Sequence, residues 1–171
     1  TAHLMAGLFE RHDRTRFETT AVSMGPDQSS AMRSRLTAAF ERFVDARQKS
    51  DREIAGLLRE LEIDIAVDLK GYTQDGRTGI FAMRPAPLQV NYLGYPGTMA
   101  AEYIDYIIAD RFVIPADQHA CYSEKVVYLP DTYQVNDAGR GIAERMPTRT
   151  AAELPEHGFV FCSFNNSYKI T

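Results

Sequence analysis

Cysteine is scarce in this chain. Cys121 and Cys162 are its only two, far apart and without C-x-x-C spacing. That excludes a disulfide framework or a zinc site and leaves free thiols in a reducing compartment as the expectation. Positive charge is not in excess either: 19 Lys and Arg against 23 Asp and Glu give a formal net charge of -4. A dedicated nucleic-acid binder would carry a basic face. Arg11, Arg14 and Arg16 do cluster, but Glu10, Asp13 and Glu18 interrupt them, as on a solvated face. No apolar run approaches the roughly 18 residues of a membrane span, and no signal-peptide pattern opens the chain. A cytoplasmic protein with neither membrane nor nucleic acid as partner is expected. Internal repeats and low-complexity tracts are missing as well.

What is present is enough for one core. With 171 residues, 44% of them hydrophobic, the chain can fill one domain and part of a second. It opens on Thr1 rather than methionine and closes on Lys169-Ile170-Thr171, just past a strand-like run from Phe159 to Phe164. Domains normally end in surface linkers, so an internal piece of a longer protein is expected.

Helix and strand patterns alternate over the first 110 or so residues. Thr1 can cap a helix with Leu4, Met5, Leu8 and Phe9 at helical spacing. Phe17 to Met24 suits a strand that Gly25-Pro26-Asp27 ends. Met32, Leu36, Ala39, Phe40 and Phe43 form one helical stripe. Ser50-Asp51-Arg52-Glu53 is a capping box, followed by Ile54, Leu57, Leu58 and Leu61 on one face. Ile63 to Leu69 reads as a mostly buried strand, Thr78 to Arg84 as a short helix stopped by Pro85, and Leu88 to Leu93 and Tyr103 to Ala109 as further strands. Such alternation predicts an α/β fold, a Rossmann-like parallel sheet with flanking helices. Beyond Asp110 the pattern loosens; a short strand lies within Tyr122 to Pro130, and Thr132 to Pro155 reads as a connector.

Three loops at strand ends could carry chemistry, because ligands of α/β sheets bind at the carboxyl ends of strands. Asp68-Leu69-Lys70-Gly71-Tyr72-Thr73-Gln74-Asp75-Gly76-Arg77 offers a phenol and a guanidinium to a polar partner; equally, it can be a strand-to-helix turn capped by Asp68 or Thr73. Leu93-Gly94-Tyr95-Pro96-Gly97-Thr98 joins glycines that let backbone approach a ligand to a proline that stiffens the turn. The same residues can simply make a tight turn on which Tyr95 packs. Ser163-Phe164-Asn165-Asn166-Ser167-Tyr168-Lys169 empties a strand into amides, a tyrosine and a lysine. That suits a phosphate or sugar near a helix start, or a solvated lysine.

Gly71-Tyr72-Thr73, Arg84-Pro85-Ala86-Pro87, Leu93 to Thr98, Asp105-Tyr106-Ile107-Ile108-Ala109-Asp110, Tyr122-Ser123-Glu124-Lys125 and Phe164 to Lys169 occur in this order. Together they resemble the catalytic region of glycosyltransferase family 41, the O-linked N-acetylglucosamine transferases and SPINDLY-related proteins. The resemblance spans essentially the whole chain and is nearer to the bacterial members, usually fused to tetratricopeptide repeats. It implies a GT-B architecture of two Rossmann-like lobes. Residues 1–131 would then be an incomplete N-terminal lobe, 132–155 the connector, and 156–171 the truncated first strand of the C-terminal, nucleotide-sugar-binding lobe.

The implied reaction moves N-acetylglucosamine from UDP-GlcNAc to Ser or Thr hydroxyls of a protein or peptide acceptor, with inversion. By the resemblance, Lys169 contacts the donor diphosphate and is catalytic. Thr1, Leu93, Gly94, Pro96 and Asn166 lie on the donor and sugar side, Thr1 being the last residue of a His-Pro-Thr motif. Tyr72 and Arg77 lie on the acceptor side. No Asp-x-Asp pair occurs, so no metal and no cofactor beyond the donor substrate is expected. Gln74-Asp75 stand where many relatives carry a basic or small pair, and Gln28-Ser29-Ser30 replace a more usual acidic-glycine sequence. Relatives that move fucose to proteins or glucose to asparagine leave donor and acceptor open, as does a protein-binding lobe without chemistry. With half its cleft missing, the piece alone is expected to be inactive.

Overall fold

A computed structural model describes residues 1–26, 29–141 and 144–163. Its first compact unit is Thr1–Gly139 and its second Arg140–Thr171; the division falls inside the expected connector. In the first unit the elements run α1 (Ala2–Glu10), β1 (Thr20–Ser23), α2 (Ala31–Ala39), β2 (Arg42–Asp45), α3 (Asp51–Glu60), β3 (Ile65–Asp68), α4 (Gly79–Ala82), β4 (Leu88–Tyr92), β5 (Tyr106–Ala109), a 3₁₀ turn (Ala116–Cys121) and β6 (Lys125–Tyr128). Every strand pairing among them is parallel: β1 with β2, and β3, β4, β5 and β6 in that order. The expected α/β parallel architecture is the one observed.

α3 forms as its sequence dictates. Ser50 Oγ accepts from Glu53 N while the Glu53 carboxylate accepts from Ser50 N at 2.7 Å, satisfying orphan donors at the helix start. Ile54, Ala55 and Leu58 are buried in a core shared with Ala66 of β3, Ile80 and Phe81 of α4, Met99, Ala101 and Ile104. The first helix starts where expected, but Thr1 contributes only its carbonyl, which accepts from Leu4 and Met5; its hydroxyl makes no capping bond.

Two expectations fail locally. The stripe through Phe43 predicts one helix, yet α2 ends at Ala39, Phe40 is extended, and Phe43 lies in β2. Phe43 and Val44 are good strand formers, and pairing with Ala21 and Val22 of β1 overrides the helical period. β3 is not mostly buried: Ala66 and Asp68 are covered, while Ile65 and Val67 are 51% and 44% exposed. In-register residues of a parallel sheet point to one side, so Ile65 and Leu88 share the open face, and Asp68 and Asn91 the covered one.

Arg35 of α2 ties the end of this unit back to its beginning. Its guanidinium donates to Glu10 of α1 at 2.6 and 2.7 Å and to Asp137 at 2.5 and 3.0 Å. Hydrogen bonds from Arg35 and from Gly139 N hold the Asp137 carboxyl down at about 2.

The second unit contains a 3₁₀ turn, Thr150–Ala152, and Arg149 donating to the carbonyls of Pro155 and Gly158. Residues 159–163 of the predicted strand lie in no strand. A strand needs a neighbour to complete its hydrogen bonds, and the described residues of this unit supply none. Phe164 to Thr171, with Asn166 and Lys169, lie outside the described residues.

Candidate functional site

β3 and β4 are neighbours in register, Asp68 beside Asn91, so the loops that leave them emerge side by side at the carboxyl edge of the sheet. Asp68 turns the first loop: its Oδ1 accepts from Lys70 N at 2.9 Å and Gly71 N at 3.0 Å. Asp68 thus shapes a local turn, and Thr73 Oγ1 donates to the Lys70 carbonyl; neither caps a helix, because the next one, α4, starts at Gly79 behind Thr78. Asn91 turns the second loop, its Nδ2 donating to the Tyr95 carbonyl at 2.8 Å.

The two loops touch where glycine allows it. Gly71 has φ +54, and a Cβ there would strike Tyr95. Gly94 needs no left-handed backbone, but a Cβ on it would run into the Leu69 carbonyl. Leu93, between Tyr92 and this contact, does adopt φ 68, an outlier for a bulky residue that only its surroundings can maintain.

Of the residues expected to act, Tyr72, Arg77, Leu93, Gly94 and Pro96 are on these two loops. The Tyr72 ring is 52% exposed and stands edge-on to Tyr95 at 5.7 Å, while its hydroxyl donates to the Met99 carbonyl at 3.0 Å. Partial desolvation raises its phenol pKa, with Tyr103 adding to the effect, so the donor stays protonated at neutral pH. Arg77 has inward partners: Nε donates to Asp51 at 2.7 Å and Nη2 to the Lys49 carbonyl at 2.8 Å, linking the first loop to the start of α3. Pro96 is exposed and its carbonyl accepts from Tyr122 Oη at 3.1 Å. Thr1 heads α1, which packs against α2; among the described residues no hydrogen bond joins it to either loop.

Three polar side chains escaped the sequence reading. Asn91 and Gln89 are fully buried polar residues inside a strand, and polar residues in an otherwise apolar run were the available signal. Glu124 belongs to a motif quoted for the resemblance alone, yet its buried carboxylate accepts from Met99 N at 2.6 Å and Thr98 Oγ1 at 2.7 Å. The edge therefore offers backbone groups, a phenol and a shaped turn to a polar ligand. Among the described residues no cluster of His, Cys, Asp or Glu could hold a metal, and no helix is long and apolar enough to cross a membrane.

Comparison with known proteins gives this edge a context. The family model of glycosyl transferase family 41 matches residues 1–146. A probable UDP-N-acetylglucosamine–peptide N-acetylglucosaminyltransferase SEC of Arabidopsis thaliana is 38% identical, over 99% of this chain and 18% of its own length. A UDP-N-acetylglucosamine–peptide N-acetylglucosaminyltransferase of Caenorhabditis elegans is 37% identical over 80% of this chain and 12% of its own. A solved mutant of the Thermobaculum terrenum O-GlcNAc transferase aligns with a TM-score of 0.73 at 34% identity, over 77% of this chain and 25% of that one. The chain thus spans less than a fifth of the length of either curated relative.

Proposed function

The chain belongs to glycosyl transferase family 41, and from that premise we propose that it is part of the catalytic region of an inverting protein O-N-acetylglucosamine transferase. In this reading residues 1–131 form most of the N-terminal lobe, 132–155 the connector and 156–171 the start of the nucleotide-sugar-binding lobe. The observation that carries it is the convergence of the acceptor-side and sugar-side loops, with Gly94 packed on the Leu69 carbonyl. By the family resemblance, Leu93, Gly94, Pro96 and Thr1 are assigned to the sugar side, Tyr72 and Arg77 to the acceptor side, Asn166 to the nucleotide and Lys169 to the diphosphate.

In the reaction the acceptor oxygen attacks the anomeric carbon as its bond to the diphosphate oxygen breaks on the opposite face. The acceptor proton passes to a base, and negative charge grows on the departing diphosphate. Lys169 offsets that charge, which is stabilisation made mainly in the transition state. No metal is invoked, in keeping with a sequence that has no Asp-x-Asp pair. The setting is the cytoplasm, with tetratricopeptide repeats elsewhere in the parent protein.

The test is Lys169→Ala in the full-length protein, with UDP-N-acetylglucosamine and an acceptor peptide. kcat should fall about 10²- to 10³-fold, the size of losing one transition-state donor, while peptide binding persists. Unchanged turnover would overturn the assignment of Lys169.

A further inference from the structure

We propose that Glu124 is a positioning residue for sugar transfer: its carboxylate holds the Leu93–Thr98 turn in the conformation that fits the donor sugar. The inference rests on the reading that this turn faces the sugar. Residues 93–105 carry the chain from β4 to β5 without a helix, so no regular ladder of hydrogen bonds supports them. The turn is also bracketed by Leu93 at φ 68 and Ala100 at φ 46, conformations that side-chain-bearing residues keep only when neighbours over-determine them.

Glu124 supplies that determination. It is only 4% exposed, and both carboxylate oxygens accept from the end of the turn: Oε1 from Met99 N at 2.6 Å, Oε2 from Thr98 Oγ1 at 2.7 Å. Among the described ion pairs none involves it. Each of its two oxygens is therefore engaged by a donor of the turn, one backbone and one side chain.

Its neighbours act on the same turn. Ser123 N donates to Thr98 Oγ1 at 3.3 Å, and Tyr122 Oη to the Pro96 carbonyl at 3.1 Å. Thr98 Oγ1 in turn accepts from Ala100 N at 3.0 Å, beside the second left-handed residue. Met99, gripped by Glu124 through its N–H, receives the Tyr72 hydroxyl on its carbonyl. One peptide segment is thus held from the acceptor side and from Glu124 together.

The experiment uses the full-length protein and measures the donor KM with UDP-N-acetylglucosamine at saturating acceptor peptide. KM, unlike kcat, does not depend on how much of the enzyme is folded. Glu124→Ala should raise it about tenfold, the size of effect expected when positioning is lost. Glu124→Gln should recover most of the loss, because its amide oxygen still accepts from Met99. Thr98→Val removes a single hydroxyl and carries the test if Glu124→Ala does not fold; it should raise KM about threefold or more.

Arg84→Ala is the control. Arg84 ties the Tyr103 carbonyl and Asp105 without touching the turn, so it should cost melting temperature and leave KM alone. Donor KM unchanged in both Glu124→Ala and Thr98→Val, or raised equally in Arg84→Ala, overturns the proposal. A wild-type protein with no UDP-N-acetylglucosamine-dependent glycosylation overturns the transferase reading beneath it, a different result from an active wild type with indifferent variants.

Discussion

Replacing Gly94 by alanine adds one methyl group at the point where the two loops meet. A Cβ built there overlaps the Leu69 carbonyl oxygen and lies 2.9 Å from Lys70 Cα and 3.0 Å from the Leu69 carbonyl carbon, whereas ordinary contact begins at 3.4 Å. All three obstacles are backbone, so no side chain can swing aside. The loops must separate by about half an ångström at Lys70 and further at the carbonyl, on the order of 1 Å in all. Overpacking of this kind costs about 1–3 kcal/mol of stability. The larger effect falls on rate, since a displacement near 1 Å between groups that hold reactants costs about 10²-fold.

Gly56→Ala is the matched comparison. It sits inside α3 with nothing within 4 Å of the added Cβ, so the same change should stabilise by about 1 kcal/mol and leave turnover as it was. The assay is glycosylation of an acceptor peptide by the full-length protein, with melting temperature measured alongside. Gly94→Ala with kcat/KM within about threefold of wild type and an unchanged melting temperature would refute the claim that the loops are held in contact.

The core and the acid response give two further tests. Ile54, 1% exposed in the α3 core, should cost about 2–5 kcal/mol on truncation to alanine, read as a lower midpoint in chemical unfolding; a cost below about 1 kcal/mol would place that face of α3 at the surface. Glu41, Asp45 and Asp137 are all held down at about 2, by bonds from Thr19, Arg47 and Arg35 respectively. Depressed carboxylates stabilise above their unfolded values, 4.5 for Glu and 3.8 for Asp, and that stability is lost as pH falls toward 2. Stability should therefore fall between roughly pH 4.5 and 2, with a shallower slope in Asp137→Asn; an unchanged slope would mean that Arg35 does not favour the ionised form in the fold.

Much of the fold could be read locally. The Ser50 capping box and the Ile54, Leu57, Leu58 and Leu61 stripe led directly to α3, because both signals sit within a few residues of the structure they create. β2 could not be read that way. Phe43 closes a helical period, yet Arg42–Asp45 becomes a strand because Thr20–Ser23 lies beside it. The exposure of Ile65 and Val67 was equally hidden, since a run of apolar residues does not say which of its faces will be covered.

At the candidate site the division is the same. Loop chemistry marked the two segments 68–77 and 93–98 as sites or as plain turns, and the resemblance to the family singled out Tyr72, Arg77, Leu93, Gly94 and Pro96 within them. That Arg77 faces Asp51 and Lys49, and that Glu124 reaches Thr98 and Met99, depends on residues more than twenty positions apart in the chain. The amino-acid order alone determined the alternating α/β pattern, the capped helix and the motifs of the family. Only the tertiary structure decided which loops meet and which buried carboxylate holds them, because a hydrogen bond depends on separation in space, and spacing along the chain does not encode it.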